Sequence, residues 1–242
     1  MGRYIYTGTT STSAGAKKIY IRPKSGGASP YTESWTVPAG ISCATFEVWG
    51  GGGAGAPTCC CTCYFGNSGA GAGYTIKTVA VNPGDVYAVS VGQGGCGNQC
   101  WFNGNACGCG GQKSFVTGNG LTNLCATGGE GGLWCNGAVF EQTPGLGYGG
   151  DHNFCGKSSH FTGCDNARYG CRSFHLGGSA PFGGGWQIAS GSAGGQSYYS
   201  CGTTGTFPGG GGIARPNYSP GWCDCCSGCA GGGADGLVII TI

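Results

Sequence analysis

An all-β fold with almost no helix is what this sequence predicts: a β-sandwich-like base carrying glycine-rich polyproline II segments and long disulfide-braced loops. Three observations carry that expectation. Short stretches alternate β-branched and aromatic residues, as in Trp35-Thr36-Val37 and Ala44-Thr45-Phe46-Glu47-Val48-Trp49. Glycine fills 58 of 242 positions and cysteine 19. Glycine runs then follow directly on the strands, Gly50 to Gly53 being the first.

Composition bounds the class. Only 8% of residues are charged, against roughly 25% in ordinary domains. Aromatics reach 12%, whereas charge-driven disorder is poor in them. Glycine loses more backbone entropy on ordering than any other residue. Cross-links, at about 2–4 kcal/mol each, would offset that loss by restricting the unfolded chain. The first residues hold no apolar core of a secretion signal, and no stretch is long enough to cross a membrane. Cysteine usage nevertheless points to oxidising surroundings. A protein made in a cytoplasm and released by lysis meets both conditions.

Residues 1–30 are expected to be an N-terminal attachment segment and 31–242 one glycine-rich, cysteine-rich β/polyproline II domain. Arg3, Lys17, Lys18, Arg22 and Lys24 precede the first acid, Glu33, and no cysteine precedes Cys43. "RYIYTGT" and "KKIYIRP" are short strand candidates. The basic segment reads as a solvated arm or a docking arm. Nucleic-acid binding is not expected, because the body adds little positive charge to support it.

In the body, "ESWTV" and "ATFEVW" are strands on either side of the turn Pro38-Ala39-Gly40. Tyr74 to Val81 and Asp85 to Gly92 alternate about Asn82-Pro83-Gly84 and read as a β-hairpin. "KSFVTG" and "LTNLCATGG" form a second pair around Gly118-Asn119-Gly120. "DGLVIITI" closes the chain as a continuous apolar strand, so the ends of the body are expected to meet in one sheet. Between Gly128 and Asp235 glycine pairs and runs dominate and no strand is predicted. Interleaved Trp, Tyr, Phe and Cys speak against a flexible linker, and the lack of a strict period of three speaks against collagen. Packed polyproline II remains. It makes no internal hydrogen bonds, and chains without Cβ atoms can lie backbone against backbone. That accounts for a strand running straight into four glycines.

The set "WTVPAG…ATFEVWGGGGAGA", "GAGAGYTIKTVAVNPGDVYAVSVGQGG", "GQKSFVTG", "CATGGEGG" and "GGGADGLVIITI" resembles the glycine-rich domain of bacteriophage tail and tail-fibre proteins, over about residues 31–132 and 206–242. The resemblance implies a sandwich-like base with stacked polyproline II segments and distal loops that touch the host. It carries no catalytic residues. The cysteine load and an insert over 133–175 depart from the pattern.

The cysteines cluster as Cys59-Cys60-Cys61-x-Cys63, Cys96-x3-Cys100, Cys107-x-Cys109 and Cys223-x-Cys225-Cys226-x2-Cys229, with singles at Cys43, Cys125, Cys135, Cys155, Cys164, Cys171 and Cys201. All are disulfide candidates. A zinc site in "CDCCSGC" is the sharper alternative, but no second cleanly spaced partner pair exists. The odd count leaves at least one thiol free, bridged to another chain or metal-bound.

All three histidines fall in the insert, among its charges and aromatics. His152, Phe154, His160, Phe161, Arg168, Tyr169, Arg172, Phe174 and His175 are the candidate receptor contacts, since recognition loops favour aromatics beside adaptable polar groups. A Cys155 or Cys164 nucleophile with His160, and a metal held by His152 and His160, are weaker readings. No enzyme signature is present: G-x-S-x-G, H-E-x-x-H, Walker A and a Rossmann fingerprint in a strand–helix setting are all missing. No catalytic residue, metal or cofactor is expected.

The leading functional expectation is a phage virion surface protein at a tail fibre or its tip. Its partners would be other virion proteins through residues 1–30 and a host surface glycan or outer-membrane protein, with a homo-oligomer compatible and no membrane insertion. The alternative is a capsid or tail decoration protein that stabilises the particle by packing. Ice binding by a flat polyproline II face is a third reading.

Overall fold

The computed structural model describes residues 3–5, 16–23, 30–56, 67–97, 107–133, 142–162, 174–184, 188–190, 202–214 and 230–242. Among them there is no helix. The strands are β1 (Arg3–Ile5), β2 (Lys18–Ile21), β3 (Tyr31–Thr36), β4 (Cys43–Trp49), β5 (Tyr74–Ala80), β6 (Val86–Val91), β7 (Ser114–Gly118), β8 (Leu121–Ala126), β9 (Gly147–Tyr148), β10 (His152–Phe154), β11 (His160–Thr162), β12 (Phe174–Leu176), β13 (Ile188–Ser190) and β14 (Leu237–Thr241).

They build two main antiparallel sheets. One has the order β1-β2-β14-β4-β5-β10 and the other β3-β6-β7-β8-β9, with β11-β12-β13 as a small third sheet. Period-two alternation decides what each strand buries. From the first sheet Ile19, Ile21, Phe46, Val48, Val79, Val238 and Ile240 turn inward; from the second Trp35, Tyr87, Val89, Val91, Val116 and Leu124 meet them in one core. Trp35, Phe46 and Tyr87 form an aromatic triad at its centre, with ring centroids 5.2–5.7 Å apart. Burying each such side chain contributes about 1.5–3 kcal/mol.

The expected hairpin over 74–92 is corrected. The turn is present, with the Asp85 N–H donating to the Asn82 carbonyl at 3.0 Å and Gly84 at φ +91°. Its two strands, however, join different sheets: β5 pairs with β4 and β10, and β6 with β3 and β7. β3 and β4 part in the same way. The two turns are tied side by side, Val37 N–H to the Asp85 carbonyl and Gly84 N–H to the Val37 carbonyl. Each arch lets consecutive apolar faces enter the core from opposite sides, which an alternation pattern alone does not distinguish from a hairpin. The second pair, β7 and β8, is a hairpin as expected.

The ends of the expected body meet only in part: β14 lies between β2 and β4, whereas β3, the body's first strand, belongs to the other sheet. Lys17 and Ile242 exchange backbone hydrogen bonds there. Residues 18–21 of the expected attachment segment are therefore a strand of the body, with Ile19 and Ile21 in its core. The glycine-rich stretch after Gly128 also differs from expectation: β9 to β13 lie in it, each two or three residues long. Windows that short carry no periodic signal, and tertiary pairing decides them.

Beyond the sheets the chain packs backbone on backbone. Gly50–Ala56 shows the rule. The N–H groups of Gly50, Gly53 and Ala56 donate to Gly73, Ala70 and Asn67; those of Gly51 and Ala54 to Gln112 and Cys109; those of Gly52 and Gly55 to Ala234 and Gly231. Donors three apart thus reach the same neighbouring segment. Its carbonyls at Gly51 and Ala54 accept from Gly129 and Gly132, that of Gly52 from Gly95, and that of Gly53 from Gly212. One segment is bonded to six others, and all seven of its N–H groups are satisfied without a ladder partner. A Cβ at Gly53 would stand 2.0 Å from the Glu130 carbonyl oxygen, so side chains are excluded there by contact distance.

Candidate recognition face

The outer face of the six-stranded sheet gathers aromatic and polar side chains that the register places side by side. Directly opposed residues in neighbouring strands share a face. One row runs Leu237, Trp49, Tyr74, Phe154; the next runs Tyr20, Ile239, Glu47, Ile76, His152. Trp49, Tyr74, Leu237, Ile239 and Ala180 are buried and form a second apolar cluster on this side.

At its margin the cluster opens to solvent. The turn Pro181–Phe182 folds over it, held by Trp49 Nε1–H donating to the Pro181 carbonyl at 2.7 Å. Phe182 sits at φ +52°, a left-handed conformation uncommon for a bulky residue. The residue is 74% exposed and Phe154 40%. Ring centroids stand 4.5 Å apart for Trp49–Tyr74, 5.1 Å for Tyr74–Phe182, 5.9 Å for Tyr74–Phe154 and 5.2 Å for Phe154–Phe182. The last pair meets edge to face, an arrangement that suits the ring quadrupoles.

Polar groups fix this surface. Tyr74 Oη–H donates to Glu47 Oε2 at 3.1 Å. Burial, and then the Glu47 carboxylate, hold the Tyr74 phenol well above its ordinary value. β10 is fastened at its start. Thr78 N–H donates to Asp151 Oδ2 at 2.9 Å, and Lys77 Nζ lies 3.6 Å from Asp151 Oδ1. The Thr78 N–H, assisted by Lys77, lowers the Asp151 carboxyl from its usual range. Asn153 Oδ1 accepts from Thr75 Oγ1 at 2.7 Å and from the Gly150 N–H at 3.1 Å. Such a face can stack rings on an apolar surface while Glu47, His152 and Tyr20 offer hydrogen bonds at its flank. The described residues contain no cluster of His, Cys, Asp or Glu suited to a metal ion.

The nine expected contact residues do not form one group. His152 and Phe154 are exposed on this face. His160, Phe161, Phe174 and His175 lie in the separate sheet of β11 and β12, paired His160 with Leu176, Phe161 with His175 and Thr162 with Phe174. Arg168, Tyr169 and Arg172 are outside the described residues. The expected insert is built into the body over part of its length, since β9 edges one main sheet and β10 the other. Sequence reasoning missed Trp49, Tyr74, Glu47 and Phe182. The available signal for Phe182 was a large apolar residue set between Pro181 and Gly183, where a turn exposes it.

Disulfide bracing is not found among the described cysteines. Cys43, Cys96, Cys107, Cys109, Cys125 and Cys155 carry free thiols. The other cysteines, "CDCCSGC" included, lie outside the described residues. Within this set Cys96 Sγ and Cys109 Sγ are 3.7 Å apart.

None of the curated proteins compared with the chain matches it. The model of the glycine-rich domain family matches residues 24–242, which takes in every strand except β1 and β2 together with the backbone-packed segments, and the chain belongs to that family.

Proposed function

We propose that this protein is a surface component of a bacteriophage virion, at a tail fibre or its tip, and that it contacts the host cell through the aromatic face around Tyr74, Phe154 and Phe182. The observation that carries the reading is the exposed Phe154–Phe182 pair over a rigid sheet, with Phe182 held in a left-handed turn. Unfavourable backbone conformations persist where the surroundings hold them, and they cluster at binding sites. Flat rings can stack on the C–H faces of sugars, so a host surface glycan is the favoured ligand over a protein loop. The residues ahead of β2, within the expected attachment segment 1–30, anchor the protein to the particle, which is released by lysis, and binding involves no catalysis or cofactor.

The glycine-rich segments serve this role as packed polyproline II. The support is the donor repeat along Gly50–Ala56, where N–H groups three apart reach the same neighbour. Polyproline II has three residues per turn, so it presents its donors in three directions in turn. The result is a stiff body with few side chains and a binding surface confined to one margin. Backbone chemical shifts and three-bond couplings for Gly50–Ala56 test the conformation directly.

The function is tested by immunogold labelling of particles with antibody to the purified protein. Label at fibre ends supports host contact. Label spread over the capsid or tail body overturns it and favours the decoration role. Adsorption of particles carrying Phe182→Ala then tests the face itself.

A further inference from the structure

We infer that Cys96 and Cys109 form a disulfide in oxidising surroundings, closing residues 97–108 into a covalent loop at the margin of the backbone-packed array. The inference is independent of the host-contact reading.

The two thiols are juxtaposed by the array. Gly95 N–H donates to the Gly52 carbonyl at 2.9 Å, and the Gly95 carbonyl accepts from Gly233 at 2.8 Å. The Cys109 carbonyl accepts from Ala54 N–H at 2.9 Å, and Gly108 N–H donates to Gly132 at 2.8 Å. Both cysteines therefore neighbour the same central segment, Gly52 to Ala54. The backbones touch: a Cβ on Gly95 would fall 1.9 Å from the Cys109 carbonyl oxygen. With the backbones set, the sulfurs stand 3.7 Å apart. An S–S bond of about 2.0 Å requires only that side-chain torsions bring them together. Cys96 is exposed and Cys109 half-buried, so a soluble oxidant can reach the pair.

The chemistry balances with a small-molecule disulfide, such as oxidised glutathione, as oxidant. One protein thiol loses its proton to solvent and attacks a sulfur of the oxidant. This gives a mixed disulfide and releases one glutathione thiolate, which takes up a proton. The second protein thiolate attacks the protein sulfur of the mixed disulfide and expels the second glutathione. The protein loses two hydrogens and the oxidant gains them. Cys100 and Cys107 lie inside the loop so formed and are the competing partners.

The test is disulfide mapping of the full chain after incubation with oxidised glutathione, alkylation of remaining thiols and cleavage after Trp101 and Phe102, which separates Cys96 from Cys109, with fragment-ion sequencing of the linked peptides to tell Cys96 from Cys100 and Cys109 from Cys107. The expected result is a linked peptide pair joining Cys96 to Cys109, lost on reduction. Alkylation of both residues, or linkage of either one to Cys100, Cys107 or any other cysteine as the main product, overturns the inference. Cys109→Ser is the second arm. It is expected to leave Cys96 either reactive toward alkylation or held as the glutathione mixed disulfide under the same oxidation, and a Cys96 bonded instead to a new protein partner overturns the specific pairing. The wild-type map decides the matter should the variant fail to fold.

Discussion

Gly52 and Gly210 meet backbone to backbone: a Cβ built on Gly52 would fall 2.0 Å from the Gly210 carbonyl oxygen. No rotamer relieves that overlap, because Cβ position is set by the main chain. Gly52→Ala must push two segments apart and strain the donor from Gly52 to Ala234. Overpacking of this kind costs about 1–3 kcal/mol or more. At Gly110 the nearest atom to the same Cβ is the Gly129 oxygen at 3.5 Å, an ordinary contact. Gly110→Ala there should be neutral or gain up to about 1 kcal/mol by restricting the unfolded chain. Urea unfolding of the two variants checks the contrast, and equal effects would contradict packing by close approach.

The strands of this fold were legible, and the sheet membership was not. Alternation marked β4, β5 and β6, each buried on one face, and an unbroken apolar run marked β14, which is buried on both. It could not say that β5 and β6 belong to opposite sheets rather than to one edge-paired ladder. That depends on which strand pairs along each edge, β4 with β5 and β3 with β6. The aromatic face was half legible for a related reason. His152 and Phe154 stood out by local enrichment, whereas Trp49 and Pro181 are 132 positions apart in sequence and only the folded chain joins them.

Tyr74 makes the fold sensitive to alkali. Its phenol is raised above the ordinary value of 10.0 by burial and by Glu47. Below pH 10 the tyrosine is protonated in both states and stability is unaffected. As pH rises past 10 the unfolded chain releases a proton that the folded protein keeps, so stability declines with pH. Tyr31 and Tyr87 shift in the same direction, so the parent slope is a sum. Tyr74→Phe is expected to flatten the decline measured by denaturant unfolding between pH 9 and 11, and an unchanged slope would argue against a buried, Glu47-bonded phenol.

Trp49 ties the exposed turn to the sheet. Its indole N–H to the Pro181 carbonyl, at 2.7 Å, is the bond that seats residues 181–183. Trp49→Phe keeps an aromatic ring over Tyr74 and removes the donor. The expected loss is about 0.5–1.5 kcal/mol for the bond, plus the smaller ring's lost burial. Hydrogen exchange at Gly183 and Gly184 should accelerate, while exchange in the core strand β6 changes little. Uniform acceleration would mean that Trp49 supports the whole sheet and not the turn in particular.

Phe182 allows stability and the proposed host contact to be tested apart. Its left-handed backbone costs about 1–3 kcal/mol in a non-glycine residue, and the residue is 74% exposed, so little burial offsets the strain. Its edge contacts with Phe154 and Tyr74 are worth about 0.5–1.5 kcal/mol each. Phe182→Gly relieves the backbone, loses those contacts and adds about 0.5–1 kcal/mol of unfolded-state entropy. These terms oppose one another, so the melting temperature should stay within a few degrees of the parent. Adsorption to host cells should fall at least tenfold if the ring contacts a host glycan. A stable variant that adsorbs like the parent would remove Phe182 from the contact surface and leave its strained turn without a recognition role.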